Sequence, residues 1–139
     1  MQSSLDRFIT AHEKDFQKAL SEVEAGKKQS HWMWYIFPQL KGLGRSDTAI
    51  YYGLDSLAEA AAFLQHPLPG QNLIRISSAL LTIEGKTAYS IFGSPDDLKL
   101  HSCMTLFAQL SPGHPVFHQV LDQYFSGKED ERTLELLKV

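Results

Sequence analysis

Three kinds of residue pattern are nearly absent from the sequence, and each absence argues against a class of protein. One cysteine in 139 residues excludes an internal disulfide framework and a zinc site built on several cysteines. No apolar run approaches the roughly 18–20 residues that a membrane-spanning helix needs. Thirteen Lys and Arg stand against sixteen Asp and Glu, so the net charge of −3 argues against a nucleic-acid partner.

What remains is the composition of an ordinary folded chain. Apolar residues make up 43% and charged residues 21%, which is enough apolar surface for a packed core. A length of 139 residues corresponds to one domain, which we place over residues 1–139. The first fifteen residues are polar and lack the hydrophobic region of a signal peptide, so the sequence predicts a cytoplasmic location.

Apolar residues recur at helical spacing along most of the chain. This spacing predicts an all-α fold, a compact single-domain bundle of six to eight helices. The longest pattern predicts a first helix over residues 4–25. The later patterns predict helices over 72–84, from 94, from 117 and over 133–137, with one or two further turns over 87–92.

Serine residues mark three of the helix starts. Ser3 or Ser4 has the position and chemistry of a cap for the first helix. Ser46 is predicted to cap a short helix that ends near residue 52. Ser56 with Glu59 has the spacing of a capping box, in which each side chain bonds the backbone N–H of the other residue. A further helix is therefore predicted to begin after Ser56.

Residues 30–40 form a block with four aromatic side chains within six positions. The block fits neither a helical period nor a strict alternation, so helix, strand and loop all stay open. In a helix, His31, Tyr35 and Gln39 would share one face. In a strand, His31, Met33 and Tyr35 would share a face instead.

The aromatic side chains of this block allow two interpretations. They bury large areas, so they can form a plug around which the helices pack. Alternatively, they form a wall on which Trp32 or Trp34 stacks against a flat ligand such as a nucleobase. Aromatic side chains act in this way in proteins that bind single-stranded nucleic acids.

A loop with two glycines and two cations follows the aromatic block. Gly42 and Gly44 allow the backbone to approach a ligand closely, and Lys41 and Arg45 bring positive charge. Ser46 then begins a helix whose free amide groups attract anions. The spacing is that of neither a Walker loop nor a dinucleotide-binding loop. The loop is therefore interpreted either as a phosphate or carboxylate site or as a plain connection.

The strongest helix start in the sequence is the Ser-Pro-Asp-Asp segment at residues 94–97. Asp96 and Asp97 complement the helix dipole there, which is a structural role. In such a helix Asp96, Lys99 and Ser102 form one stripe at a spacing of three residues. Asp97 instead faces His101 at a spacing of four residues. If Lys99 and a carboxylate beside it face a pocket, Asp97 and Lys99 become candidates for acid–base chemistry.

The six histidines do not form a metal-binding pattern. His114 and His118 have the spacing of a ligand pair, but Pro115 places His114 at a helix boundary and no Glu follows it as in His-Glu-x-x-His. We therefore expect no metal site. His12 lies on the apolar face of the first helix and is interpreted as a buried, hydrogen-bonded histidine. Cys103 is interpreted as a small core residue.

Three segments of the sequence are similar to those of a known family. Residues 30–44 read SHWMWYIFPQLKGLG, residues 92–100 read FGSPDDLKL, and residues 120–127 contain VLDQYF with a glycine two positions later. The chain resembles, over nearly its whole length, the uncharacterised bacterial family called domain of unknown function 1810. The resemblance implies a compact, multihelical single domain. It implies no activity, because none is established for the family.

The sequence leads to a hypothesis of binding. The ligand is an anionic, nucleotide-like small molecule between the aromatic block and the helix at Asp96, and hydrolysis or transfer at a phosphoryl or ribosyl bond is the matching chemistry. No cofactor is named by the sequence. The alternative is a non-enzymatic protein-interaction module in which the motifs are structural.

The hypothesis requires His31, Arg45 and Lys99 to converge in one concavity. Its candidate residues fall into two groups. The candidate catalytic residues are His31, Asp97 and Lys99. The candidate ligand-binding residues are Trp32, Trp34, Tyr35, Gln39, Lys41, Gly42, Gly44, Arg45, Ser46, Asp96 and Ser102.

Overall fold

The computed structural model describes residues 5–138, and within this range the chain forms helices and no β-strand. The cap predicted at Ser3 or Ser4 lies outside this range. No helix within it is both long and apolar enough to cross a membrane. The nine helices of the range are α1 (Asp6–Glu24), α2 (Met33–Ile36), α3 (Asp47–Tyr52), α4 (Leu57–Gln65), α5 (Pro69–Leu81), α6 (Ala88–Phe92), α7 (Asp96–Ala108), α8 (Val116–Phe125) and α9 (Glu131–Leu137).

The core forms where α1, α5, α7 and α8 turn apolar faces toward one another. The rings of Phe63, Phe107 and Phe117 form a continuous chain, with neighbouring centroids 5.6 and 5.4 Å apart. Each ring is fully buried, and burial of a Phe side chain contributes roughly 1.5–3 kcal/mol. Cys103 is also fully buried, which raises the pKa of its thiol and confirms the prediction of a small core residue.

Two of the predicted serine caps are confirmed. The hydroxyl of Ser46 accepts a hydrogen bond from the N–H of Ala49 at 3.1 Å, at the start of α3. The hydroxyl of Ser56 accepts one from the N–H of Glu59 at 3.2 Å, at the start of α4. The carboxylate of Glu59 accepts from the N–H of Asp55 rather than from that of Ser56, so the predicted capping box is displaced by one residue.

Two helix starts differ from their predicted positions. α5 begins at Pro69, three residues earlier than predicted, because the first turn of a helix does not need the N–H that proline lacks. α7 begins after Pro95, and Ser94 does not cap it. The N–H of Asp97 instead donates to the carbonyl of Gly93 at 2.9 Å.

The aromatic block contains a single turn of helix. α2 covers only four residues, so His31 and Gln39 lie outside it and share no helix face with Tyr35. The residues after α2 continue as an irregular segment toward α3. This short helix brings the number of helices in the described range to nine, one more than the upper number expected.

The segment between residues 40 and 54 is a loop whose two ends are joined. Leu40 and Leu54 pair as an isolated parallel β-bridge. The N–H of Lys41 donates to the carbonyl of Leu54 at 2.7 Å, and the N–H of Leu54 donates to the carbonyl of Gln39 at 3.0 Å. α3 lies within this loop and buries none of its own residues. The bridge therefore fixes where α3 leaves and rejoins the body of the protein.

Candidate functional site

Two carboxylates seven residues apart on α1 face the aromatic block. Residues at this spacing lie on the same side of a helix. Glu22, near the C-terminal end of α1, contacts Trp32, and Asp15, one heptad earlier, contacts Tyr35. The two carboxylates therefore connect the same helix to neighbouring parts of one sequence motif.

Glu22 is surrounded by protein donors. Its Oε1 accepts from the N–H groups of Gln29 and Ser30 at 2.8 and 2.9 Å, and from Nε1 of Trp32 at 2.9 Å. Its Oε2 accepts from the hydroxyl of Ser30 at 2.6 Å. Each carboxylate oxygen has about two lone-pair sites, so Oε1 is fully occupied and Oε2 keeps about one site. Burial raises the pKa of Glu22, but the four donors outweigh burial and lower it to about 2.

Asp15 has one hydrogen-bond donor among the described residues. The hydroxyl of Tyr35 donates to Oδ2 of Asp15 and also lies 3.3 Å from the carbonyl oxygen of His31. Burial raises the pKa of Tyr35 well above its usual value, and the hydrogen bond to Asp15 and its charge add to that effect. Tyr35 is therefore a neutral phenol that donates a hydrogen bond to Asp15.

An open cleft of about 420 Å³ lies beside this pair, between α1 and α3. Thr10, Lys14 and Asp15 of α1 line one side, and Tyr51 and Tyr52 of α3 line the other. The two tyrosine rings are 4.8 Å apart at an angle of 81°, so they form a corner rather than a stack. The cleft thus combines aromatic rings with two carboxylates, Asp6 and Asp15, and two cations, Arg7 and Lys14.

Arg7 fixes the wall of the cleft that α3 provides. Its Nε donates to the carbonyl of Tyr51 at 2.6 Å, and its Nη2 donates to that of Gly53 at 3.1 Å. Its guanidinium carbon also lies 4.4 Å from the ring centroid of Phe8. Because both carbonyls belong to the end of α3, Arg7 connects this helix to α1.

His12 holds the backbone of Tyr35, one of the residues that line the cleft. Its Nε2 lies 2.8 Å from the carbonyl of Tyr35, and its Nδ1 lies 3.1 Å from Nδ2 of Asn72. A carbonyl only accepts, so Nε2 carries the proton and Nδ1 accepts from Asn72. Burial lowers the pKa of His12 to about 4, although the bond to Tyr35 opposes that shift. This confirms the interpretation of His12 as a buried, hydrogen-bonded histidine.

The structure brings the aromatic block and the start of α7 together, as the sequence suggests. The ammonium of Lys99 lies 4.7 Å from the ring centroid of Trp34 and 3.4 Å from a carboxylate oxygen of Asp96. Lys28 pairs with the other oxygen of Asp96 at 2.9 Å. Gln39 joins Trp34 and Lys99 around a cavity of only about 10 Å³, about the space of one water molecule. The aromatic block and α7 are therefore in contact, but the cavity between them is too small for a nucleotide.

The convergence that the site hypothesis requires does not occur. Lys99 lines the small cavity, whereas His31 and Arg45 line neither it nor the cleft. His31 is exposed ahead of α2, and Arg45 is exposed in the loop before α3. α2 is too short to align His31 with the rest of the motif, which is the physical reason for the difference.

Several other predicted site residues have structural partners. Trp32 is 1% exposed, so its ring offers no face to a ligand. Ser102 is buried and donates to the carbonyl of Leu98 at 3.2 Å and to Asp130 at 3.1 Å, which connects α7 to the cap of α9. Asp97 accepts from the N–H of Leu98 at 2.9 Å in the first turn of α7.

The predicted anion loop lies away from the cleft. Lys41 pairs with Asp55 at 2.8 Å, and both side chains are exposed to solvent. A Cβ atom at Gly44 would lie 2.7 Å from that of Ala49, so this glycine allows the loop to pack against α3. Gly42 has a φ of +108°, which favours glycine for reasons of backbone geometry alone. The anion-binding role of Lys41 and Arg45 stays a prediction.

Sequence reasoning missed most of the cleft. It selected Tyr35 but none of Thr10, Lys14, Tyr51 and Tyr52. A signal existed in the tyrosine doublet of α3, because two adjacent aromatic residues on a six-residue helix cannot both face a core. The acidic pair at positions 15 and 22 was a second signal, since it borders the apolar stripe of α1 at helical spacing.

These features define a small all-helical protein with an open, tyrosine-lined polar cleft beside its first helix. The chain belongs to the DUF1810 family, described as a protein of unknown function, because the model of that family matches residues 2–137. It is also similar to the conserved hypothetical protein Rv1873 from Mycobacterium tuberculosis, which is known from a crystal structure. The two are 45% identical with a TM-score of 0.94, over 97% of this chain and 96% of the other. No curated protein matches the chain.

Proposed function

We propose that this protein binds a nucleotide-like small molecule in the cleft between α1 and α3. The observation that carries the proposal is the cleft itself, a volume of about 420 Å³ whose lining includes three tyrosines. Small-molecule sites in proteins commonly measure roughly 300–1,000 Å³ and combine ring surfaces with a few polar groups. The cleft has the size of such a site and supplies its ring surfaces, although more of its lining is charged than is usual for one.

The tyrosines supply the surface for a flat ring. Tyr51 is 59% exposed, although it lies at the end of a helix whose position is fixed by Arg7. Tyr52 is half-buried and contacts the rings of both Tyr51 and Tyr35. Stacking of a base on an aromatic side chain contributes roughly 1–3 kcal/mol. An exposed ring on a fixed backbone gains this energy with little loss of conformational entropy.

Lys14 supplies the charge for an anionic group. Its ammonium forms no ion pair with the residues that the structure describes. It lies one residue before Asp15 and lines the same cleft as the tyrosines. A phosphate beside Lys14 would therefore be attracted by an ammonium group that forms no ion pair with a carboxylate of the described chain.

Ligand binding to the purified protein tests the proposal. Thermal unfolding is followed with adenosine monophosphate, adenosine, ribose 5-phosphate and inorganic phosphate. At equal concentrations we expect adenosine monophosphate to raise the unfolding temperature more than its three fragments do. A ligand at about 100 times its Kd stabilises the fold by about 2.7 kcal/mol. Equal or absent shifts for all four compounds contradict the proposal.

Two matched variants locate the site. Lys14→Ala should weaken binding of the nucleotide while leaving adenosine unaffected, and Lys18→Ala is its control because Lys18 is exposed on α1 outside the cleft. Tyr51→Ala should weaken the binding of both compounds. Its control is Tyr89→Ala, which removes a ring that is 64% exposed elsewhere on the surface.

A reaction on the bound nucleotide is the finer part of the proposal. Hydrolysis or transfer at a phosphoryl or ribosyl bond remains the class that the sequence suggests. Its candidate residues, His31, Asp97 and Lys99, do not line the cleft, so a reaction on a nucleotide bound there would use other groups. Incubation of the protein with the bound nucleotide, followed by separation of base, ribose phosphate and phosphate, tests it. If the nucleotide is unchanged after many binding lifetimes, the protein binds it but does not catalyse this reaction.

A second candidate function is a protein-interaction module. An open groove of about 270 Å³ between the start of α4 and α9 favours it, because Leu57 and Leu136 are exposed there beside Lys41. The buried state of Trp32 agrees with motifs that are structural. A partner captured by the purified protein should be lost on Leu136→Glu and retained on Lys14→Ala. The opposite pattern would favour the cleft.

A further inference from the structure

Asp15 has accepting capacity that residues 5–138 do not use. Of the two carboxylates that α1 turns toward the aromatic block, Glu22 takes four protein donors, whereas Asp15 takes one. A carboxylate has about four lone-pair sites, so Asp15 keeps about three. It lines the open cleft, where a ligand can reach it.

Tyr35 fixes the direction of that free capacity. Its hydroxyl donates to Oδ2, so one oxygen of Asp15 is bound on the side of the aromatic block. Tyr35 is itself held in place, because its carbonyl accepts from His12 and its ring is 5.0 Å from that of Tyr52. The remaining lone pairs of Asp15 therefore belong to a carboxylate that does not rotate freely.

The geometry points to Asp15 as a specificity-determining residue, positioned by Tyr35, that selects nucleotides whose base carries an N–H donor at its edge. This inference rests on the proposed function. The ring of such a base contacts Tyr51 while its amino group donates to Asp15, and the phosphate lies toward Lys14. A base without a donor at that edge would leave the carboxylate desolvated and unpaired, which is unfavourable.

A pair of ligands that differ in one amino group tests the inference on the unmodified protein. Adenosine 5′-monophosphate and purine riboside 5′-monophosphate share ring, ribose and phosphate, but only the first has the exocyclic amino group. Hydrogen bonds to charged groups predict about ten- to a hundredfold tighter binding of adenosine 5′-monophosphate, measured by titration calorimetry. This arm needs no variant, so it cannot fail through misfolding.

Three variants assign the difference to named groups. Asp15→Ala should reduce the ratio of the two dissociation constants to near one, and Glu13→Ala on the exposed side of α1 should leave it unchanged. Tyr35→Phe should weaken binding of adenosine 5′-monophosphate several-fold and leave purine riboside 5′-monophosphate unaffected. A purely structural role of Tyr35 would weaken both nucleotides equally.

The outcomes separate this inference from the function on which it rests. Equal affinities for the two nucleotides overturn the role of Asp15 while nucleotide binding stands. A ratio that survives Asp15→Ala overturns it as well, because another group then reads the amino group. If neither nucleotide binds, the proposed function fails and the inference fails with it.

Discussion

Two positions on α1 contact the same aromatic motif in opposite ways. Near the C-terminal end, the Glu22 carboxylate accepts four hydrogen bonds from Trp32, Ser30 and Gln29. At the middle of the helix, Asp15 accepts from Tyr35 alone among the described residues and faces a cleft. A carboxylate with four protein donors stabilises the fold and has little capacity left for a ligand. A carboxylate with one donor adds less stability and can take part in recognition.

The largest effect that this comparison predicts is the loss of Glu22. Glu22→Ala leaves four donors without their acceptor, and at about 1 kcal/mol for each bond it should lower the free energy of unfolding by about 4 kcal/mol. Urea unfolding measures the change. Glu24→Ala, on an exposed residue of the same helix, is the control and should change stability by under about 0.5 kcal/mol. Similar losses for the two variants would contradict the comparison.

Acid should weaken the fold through His12 first. The pKa of His12 is about 4 in the folded protein and 6.5 when unperturbed, so the unfolded chain binds the proton first as the pH falls. Stability should be constant above about pH 6.5 and fall by about 3 kcal/mol as the pH decreases to about 4. Urea unfolding at a series of pH values measures this slope.

A variant isolates the contribution of His12 to that slope. His12→Gln keeps an N–H for the carbonyl of Tyr35 but does not titrate, so the slope between pH 6.5 and 4 should flatten. Glu22 contributes in a separate window, because its pKa of about 2 lies below the usual 4.5. Its contribution is complete above pH 4.5 and is lost toward pH 2. An unchanged slope in His12→Gln would rule out His12 as its source.

The smallest effect on stability should come from the open carboxylate, Asp15. Tyr35→Phe removes one hydrogen bond to Asp15, whose carboxylate water can reach through the cleft, and should cost about 1 kcal/mol. Urea unfolding of this variant beside Glu22→Ala gives the direct contrast between the two carboxylates of α1. A loss as large as that of Glu22→Ala would mean that the open carboxylate is as structural as the closed one.

The fold was predictable from the sequence to the level of helix type and approximate bounds. The caps at Ser46 and Ser56 were readable because a cap depends on residues within one turn. The start of α7 was placed well, but its cap was not, since the bond from Asp97 to Gly93 depends on the path of the preceding chain. Local signals therefore predicted the elements better than their junctions.

The candidate site was predictable only in part. The aromatic block and the Lys99 region do meet, and Trp34 contacts Lys99 as the proximity of two motifs suggested. The sequence could not give the volume left between them, which is about 10 Å³. It also could not show that α3 lies across the cleft from α1. The position of α3 depends on the pairing of Leu40 with Leu54, which are far apart in sequence, and this pairing brings Tyr51 to the cleft.

The sequence by itself determined an all-helical fold, a family, and the chemistry present in each segment. Periodicity and caps are properties of neighbouring residues, so they survive without knowledge of the whole molecule. Only the tertiary structure decided which groups are satisfied and which remain open. Glu22 and Asp15 are alike in sequence, one heptad apart on one helix face. The number of donors that the rest of the fold brings to each carboxylate makes one structural and the other a candidate for recognition.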